Sequence, residues 1–446
     1  MFDAEQYLRL AGEAMLLDHR AGEGQSWESP LDSAGHVLVA VGALGAGRAQ
    51  AIVDDYHLAR CCRTGEEPFF RHHRRLTARP AGAAPAELGR FRAVACGRVI
   101  EQPWGELRIS YAVLSEEATV LHVTMRPGAS APPGGGPQAR RSRAMARMSG
   151  PRGPGGRGGF APGGHTVGPG LPGQLSLTDD QGTTASAVFS GGGDDTGWTG
   201  EFEARPALAV DTAWLDVLGE RVELPSDPGA GAAVWVEPVA EPDPGRRYLQ
   251  ARLAKLLQAH EPDALDATIE VLVAAGRLAA GDPVIGDARA VLQQYSHGLG
   301  SGPGGRRRLP EPWRSLLAGS GRSTGRDGLV VVGAATPRFG GVAAVVLAVQ
   351  SFADVFTVAV ELTPSVPHWH AGLSRVDEPI LVWWAADDRG GHYLGQPKSW
   401  HSGAERSGGQ VEFWPALDPA ATRLDIVPTT VTERAVIQVP LNWAAD

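Results

Sequence analysis

The residues with the most chemical promise are histidines. His368 and His370 flank Trp369. In an extended segment residues two apart project to one side, so both imidazoles can reach a single metal ion. His392 and His401 follow later in the same stretch and would complete a ligand set. That constellation would suit a metal-dependent hydrolase, while the expected role is a loop whose His and Trp pack on the sandwich. A second candidate is the pair Asp179-Asp180-Gln181-Gly182 and Asp387-Asp388-Arg389-Gly390. Their carboxylates suit Ca²⁺, a hard ion that takes six or more oxygens. Adjacent aspartates in a strand point to opposite faces, however, and Asp with Gly makes a tight hairpin turn. The turn is the expected role. Cys61 and Cys62 sit beside Arg60 and Arg63, which favour thiolate, but the helix C-terminus expected there opposes it.

Two literal motif matches fail on context. Gly321-Arg322-Ser323-Thr324-Gly325 reads GxSxG, yet a Gly/Ser-rich stretch precedes it and the strand-like Leu329-Val330-Val331-Val332 follows. A nucleophile elbow needs the strand before and a helix after. Gly300-Ser301-Gly302-Pro303-Gly304-Gly305 reads GxGxxG without a strand before it or a helix after it. The chain contains no P-loop and no HExxH. No cofactor is implied.

The elements that would position these residues come in two sets. Tyr7-Leu8 leads through Leu16-Leu17 to His19, and Tyr248-Leu249 leads through Leu256-Leu257 to His260. Val37-Leu38-Val39-Ala40-Val41-Gly42 is matched by Val271-Leu272-Val273-Ala274-Ala275-Gly276, and Ala51-Ile52-Val53-Asp54-Asp55-Tyr56 by Ala290-Val291-Leu292-Gln293-Gln294-Tyr295. Leu249, Leu253, Leu256 and Leu257 have the spacing of one helical stripe. The strand-rich parts match too: the Asp-Asp turns, then Pro206-Ala207-Leu208 with Pro415-Ala416-Leu417, then Leu215-Asp216-Val217 with Leu424-Asp425-Ile426. Six matches in one order predict a tandem duplication.

Short alternating runs such as Leu175-Ser176-Leu177-Thr178, separated by turn residues, predict antiparallel sandwiches. The Asp-Asp-x-Gly element resembles the hairpins of bacterial immunoglobulin-like sandwich modules. The expected fold is therefore α+β: a helical-hairpin segment followed by an antiparallel immunoglobulin-like β-sandwich, in tandem duplication. The boundaries are 1–64 and 247–297 for the helical segments, 95–226 and 328–443 for the sandwiches. Residues 226–245 and 298–328 read as linkers. Ile380-Leu381-Val382-Trp383-Trp384-Ala385 is apolar on both faces, so it must be covered on both faces. The first sandwich or a second copy of the chain is the expected cover, which makes a homo-oligomer an open reading.

Residues 128–173 hold six arginines, Arg140, Arg141 and Arg143 among them, with no acid and abundant Gly and Pro. That composition predicts a disordered insertion that could hold nucleic acid or an acidic partner electrostatically. The whole chain carries a net charge of −9, with only two lysines among its 41 basic residues, so it is not drawn as a body to nucleic acid or anionic membranes. The N-terminal residues lack the pattern of a secretory signal. Residues 342–360, interrupted by Gln350 and Asp354, suit two strands rather than a membrane span. Three cysteines make no disulfide framework. The expectation is a cytoplasmic, non-catalytic binding or scaffold protein with a protein partner. It would contact that partner through Trp383, Trp384 and the arginine insertion. The metal-dependent hydrolase is the alternative.

Overall fold

Aspartate followed by proline opens two of the helices. Asp243 caps the helix Pro244–Ala259 by accepting from the Arg246 amide at 2.9 Å. Asp282 caps Pro283–Ser296 through the Val284 amide at 3.1 Å. The side chain satisfies an amide left over by the first turn, and proline needs no such partner there. Asp3 does the same for the first helix through the Gln6 amide at 3.0 Å.

The computed structural model describes residues 2–18, 30–65, 67, 90–128, 172–194, 197–225, 231–259, 264–296, 309–319, 325–366, 375–402 and 406–443. The chain divides into two units, one of residues 89–229 and one of residues 1–88 with 230–446. The expected insertion of 128–173 lies almost wholly outside the described residues.

The unit of residues 89–229 is an antiparallel sheet of eight strands. They are β1 (Phe91–Gln102), β2 (Gly105–Ser115), β3 (Thr119–Pro127), β4 (Gln174–Asp179), β5 (Thr184–Asp194), β6 (Gly197–Arg205), β7 (Trp214–Val217) and β8 (Glu220–Glu223). The order across the sheet is β1-β2-β3-β6-β5-β4-β7-β8. Register shifts at Ala95/Arg98 and Ile109/Tyr111 bend the long strands, as bulges do. The sheet encloses a core of Val94, Leu107, Leu121, Leu177, Phe202, Leu215 and Val222. Arg92 of β1 donates to the carbonyls of Thr212 at 2.7 Å and Leu224 at 3.0 Å, tying the first edge to the last.

The other unit carries two trios of helices and a larger sheet. The helices are α1 (Ala4–Asp18), α2 (Pro30–Ala40), α3 (Ala46–Thr64), α4 (Pro244–Ala259), α5 (Ala264–Ala274), α6 (Pro283–Ser296) and the short α7 (Trp313–Gly319). The strands are β9 (Ala233–Pro238), β10 (Gly328–Ala335), β11 (Ala343–Ser351), β12 (Phe356–Thr363), β13 (Val382–Asp387), β14 (His392–Ser402), β15 (Ser407–Trp414), β16 (Arg423–Thr429) and β17 (Glu433–Pro440). Their order, β10-β11-β12-β15-β14-β13-β16-β17-β9, repeats that of the smaller sheet with β9 added at the end. The stretch expected to be a linker therefore supplies a ninth strand, paired with β17 from Ala233 opposite Gln438 to Pro238 opposite Glu433. The architecture is mixed α+β, with two large antiparallel sheets.

The Asp-Asp-x-Gly elements are hairpin turns. Asp387 accepts the Arg389 amide at 2.9 Å, the Gly391 amide at 2.6 Å and the Tyr393 hydroxyl at 2.6 Å. Gly390 takes the left-handed conformation, φ 83°, that glycine adopts without a Cβ penalty. Asp179 accepts the corresponding amides of Gln181 and Thr183. Asp180 and Asp388 reach across to the amides of Ala213 and Thr422. The carboxylates therefore serve the turns, as expected, with Asp179 Oδ2 alone among these oxygens left buried without a partner.

β13 is covered on both sides, and the cover is helical. Trp383 and Ala385 join Phe356, Tyr393 and Phe413 in the core inside the sheet. Val382 joins Leu394 of β14 in a second core with Leu8, Leu38, Leu249, Leu256 and Trp313, against which Trp384 packs. The expected cover, a second sheet or a second copy, is replaced by helices of the same unit because alternate residues of β13 meet a different core on each side. Ser33 of α2 and Thr268 of α5 meet with hydroxyls 3.4 Å apart, joining the two helix trios. Gln258 of α4 fastens helix to sheet. β13 and β14 are paired from Trp384 to Ala386, and just beyond this ladder the Gln258 amide donates to the carbonyls of Trp383, at 3.3 Å, and Gly395. Gln258→Ala removes the donor from both buried carbonyls, at about 1–3 kcal/mol. A lower midpoint in urea denaturation with an unchanged slope is the expected readout.

In the smaller unit His122 of β3 is buried and stacks on Tyr111 at 3.9 Å. Burial pushes its imidazole down to about 3. Glu201, 3.3 Å from Nδ1, would favour the charged ring, but loss of water dominates. The folded state holds the ring neutral where an unfolded histidine takes a proton. The contribution of this site is complete above pH 6.5 and is lost as pH falls from there toward 3. Thermal melts from pH 7.5 to pH 4.5 should show a decline that is shallower in His122→Gln.

Candidate functional site

A cavity of about 670 Å³ lies between α4, α6 and α7 on one side and β13, β14, β16 and β17 on the other. The helical stripe rule accounts for one wall. Leu249 and Leu253 face it from α4, Val284, Ala288 and Val291 from α6, residues three or four apart on one face. The sheet contributes Val382, Trp384 and Ala386, alternate residues of β13, together with Val427 and Thr429, alternate residues of β16. Trp313, at the start of α7, meets Trp384 edge-on, with ring centroids 5.0 Å apart and planes at 76°, a preferred aromatic geometry.

The rim is charged, and most of its charges are already engaged. Arg246 pairs with Asp282 at 3.1 Å, joining the starts of α4 and α6. Arg434 donates through Nε to Glu237 at 2.6 Å. Glu311 accepts from Ser315 and Arg314, and these bonds, Ser315 first, hold its carboxyl below the usual range. The Thr429 and Thr430 hydroxyls donate to the carbonyls of Val427 and Glu433. Arg247 donates to the carbonyls of Glu241 at 3.1 Å and Pro242 at 3.3 Å, and its Nε is sealed from solvent without a partner. His392 lines the cavity with a buried, unpartnered Nδ1. Asp287 of α6 is half-buried in the wall; among the described residues it has neither an ion pair nor a hydrogen bond.

The residues singled out from sequence are dispersed. His392 and Trp384 both line this cavity. Trp383 does not: it is 1% exposed within the sheet core, so it presents no contact surface. His368, His370, Arg140, Arg141 and Arg143 lie outside the described residues. The His401 backbone pairs with Gly408 in the β14–β15 ladder. Among the described residues no three His, Cys, Asp or Glu side chains gather as a metal site would require. Cys61 and Cys62 lie near the end of α3 and form no disulfide, and the Cys62 thiol donates to Glu67 at 3.4 Å. Burial pushes the Cys96 thiol up to about 12, far from thiolate at neutral pH. Among the described residues no serine, cysteine, lysine or tyrosine lines the large cavity. The arrangement has an apolar floor and charged rim groups.

No protein family and no curated protein sequence matches this chain. Among solved structures, the crystal structure of the conserved domain protein from Bacillus anthracis aligns over 75% of this chain and 77% of that one. The identity is 7% and the TM-score 0.19, a likeness that carries no argument about fold or activity. The cavity is therefore read on its own chemistry.

Sequence reasoning marked Trp384 and missed Trp313, Arg247 and Asp287 as a group. The Asp-Pro pairs at 243–244 and 282–283 were the available signal: both start helices whose first turns form the rim.

A smaller polar cluster lies in the helical core. His36, Tyr248, Arg252, Lys255 and Glu378 surround a cavity of about 10 Å³, room for a single water at most. Asp32 accepts from or pairs with His57 nearby on α2 and α3, at 2.9 Å and with both side chains buried.

Proposed function

We propose that this chain is a non-catalytic binding protein and that its ligand sits in the cavity between α4, α6, α7 and the nine-stranded sheet. The observation that carries this is the combination of volume and lining. A preformed cleft of about 670 Å³ lies within the range of small-molecule sites, which are mostly apolar with a few polar groups. The contact expected of both tryptophans passes to Trp384 alone. The arginine insertion, with Arg140, Arg141 and Arg143, is proposed as a second contact for a protein or nucleic-acid partner. Its charge density supports that assignment.

We also read the chain as a tandem duplication. The shared strand order, the paired bulges near the starts of both sheets and the matching Asp turns support it. An immunoglobulin-like sandwich character is proposed from the Asp turns that both modules share. Among the described residues no helix is long and apolar enough to cross a membrane; a cytoplasmic location is proposed from the amino-acid sequence.

A neutral, environment-sensitive dye such as Nile red tests the site. Saturable binding with a blue-shifted emission is expected. Trp384→Leu, checked for folding by circular dichroism, should weaken it by about tenfold, equivalent to about 1.4 kcal/mol. Affinity unchanged by that substitution would place the dye elsewhere and remove the basis of the proposal.

A further inference from the structure

We infer that the cavity selects a small organic cation with an apolar body, with Asp287 as its counter-charge; this rests on the cavity being a binding site. The first argument is the balance of engaged and unengaged charge. The guanidinium groups of Arg246 and Arg434 are paired with Asp282 and Glu237. Arg247 points its bonds at backbone carbonyls and its Nε is closed to solvent. On the acidic side Asp287 is half-buried, open to the cavity and, among the described residues, unpaired. Among the described residues the lining carboxylates without an ion pair, Asp287 and Glu241, outnumber the one guanidinium without an ion pair, Arg247, which backbone carbonyls already engage.

The second argument is the floor. Trp384 is partly open where it lines the cavity, and Trp313 holds it edge-on from behind the helical side. Indole faces attract cations through the ring quadrupole, most strongly where water is excluded. An ammonium on an apolar body satisfies both features at once: the body covers Leu249, Val291 and Trp384, and the charge reaches Asp287. An anion of the same shape would bring a second negative charge beside that carboxylate.

Three probes with one body separate the possibilities: 2-phenylethylammonium, 2-phenylethanol and phenylacetate. Each is titrated against the full chain by displacement of Nile red. The ammonium should bind at least about tenfold more tightly than the alcohol, with the acid weakest, consistent with the strength of cation–aromatic and charge contacts. Asp287→Asn, which disturbs no hydrogen bond among the described residues, should bring ammonium and alcohol within about twofold of each other. Equal binding of ammonium and alcohol, tighter binding of phenylacetate, or an Asp287→Asn variant that keeps the ammonium preference would each overturn the inference. Failure of all three probes to displace a dye that still depends on Trp384 overturns it and leaves the binding site standing. A dye that does not bind removes both.

Discussion

A strand with large apolar side chains on both faces cannot border water on either. β13 is such a strand, and most of the larger unit follows from the need to cover it. Its inward residues, Trp383 and Ala385, fill the interior of the nine-stranded sheet. Its outward residues, Val382 and Trp384, demand a second apolar layer, and the leucine stripes of α4 and the side chains of α6 and α7 provide it. Burial of surface at about 25 cal/mol per Å² makes two faces of large side chains a strong organising force. The two helix trios meet at Ser33 and Thr268, so the residues before the smaller unit and those after it share one helical core.

The cavity is what remains where that layer is incomplete. α4 and α6 begin beside each other, bound by the Arg246–Asp282 pair, and residues of both first turns line the cavity together with the sheet strands. The Asp-Pro starts fix where the helices begin, and Gln258, well along α4, fixes where that helix touches the sheet. Between those two anchor points Trp384 is left partly open. A site built from two helices and a sheet, rather than from loops, is held by packing, and its lining is rigid for the same reason that the core is.

Much of this architecture was legible in the amino-acid sequence. The helical stripes, the Asp turns, the antiparallel strands and the requirement that β13 be covered twice all follow from local periodicity, which reports burial residue by residue. The identity of the cover was not legible. Trp384 meets Trp313 from a separate helix 71 positions earlier, and α2 meets α5 across an intervening unit; spacing within a segment carries no information about such pairings. β9 was hidden for another reason: Ala233-Val234-Trp235-Val236 alternates correctly but lies in a Pro-, Gly- and Ala-rich stretch that reads as a linker. Asp287 was invisible because a lone aspartate on a helix has the pattern of any solvated residue until its neighbours turn out to be paired with others.

The central claim is that helix and sheet share one core at Trp313 and Trp384. A double-mutant cycle on stability, with Trp313→Leu, Trp384→Leu and the double variant in urea, tests it most directly. Coupling of about 0.5–1.5 kcal/mol is expected for an edge-on aromatic pair. Strict additivity would mean that the two indoles do not meet, and that the second face of β13 is covered by something other than these helices.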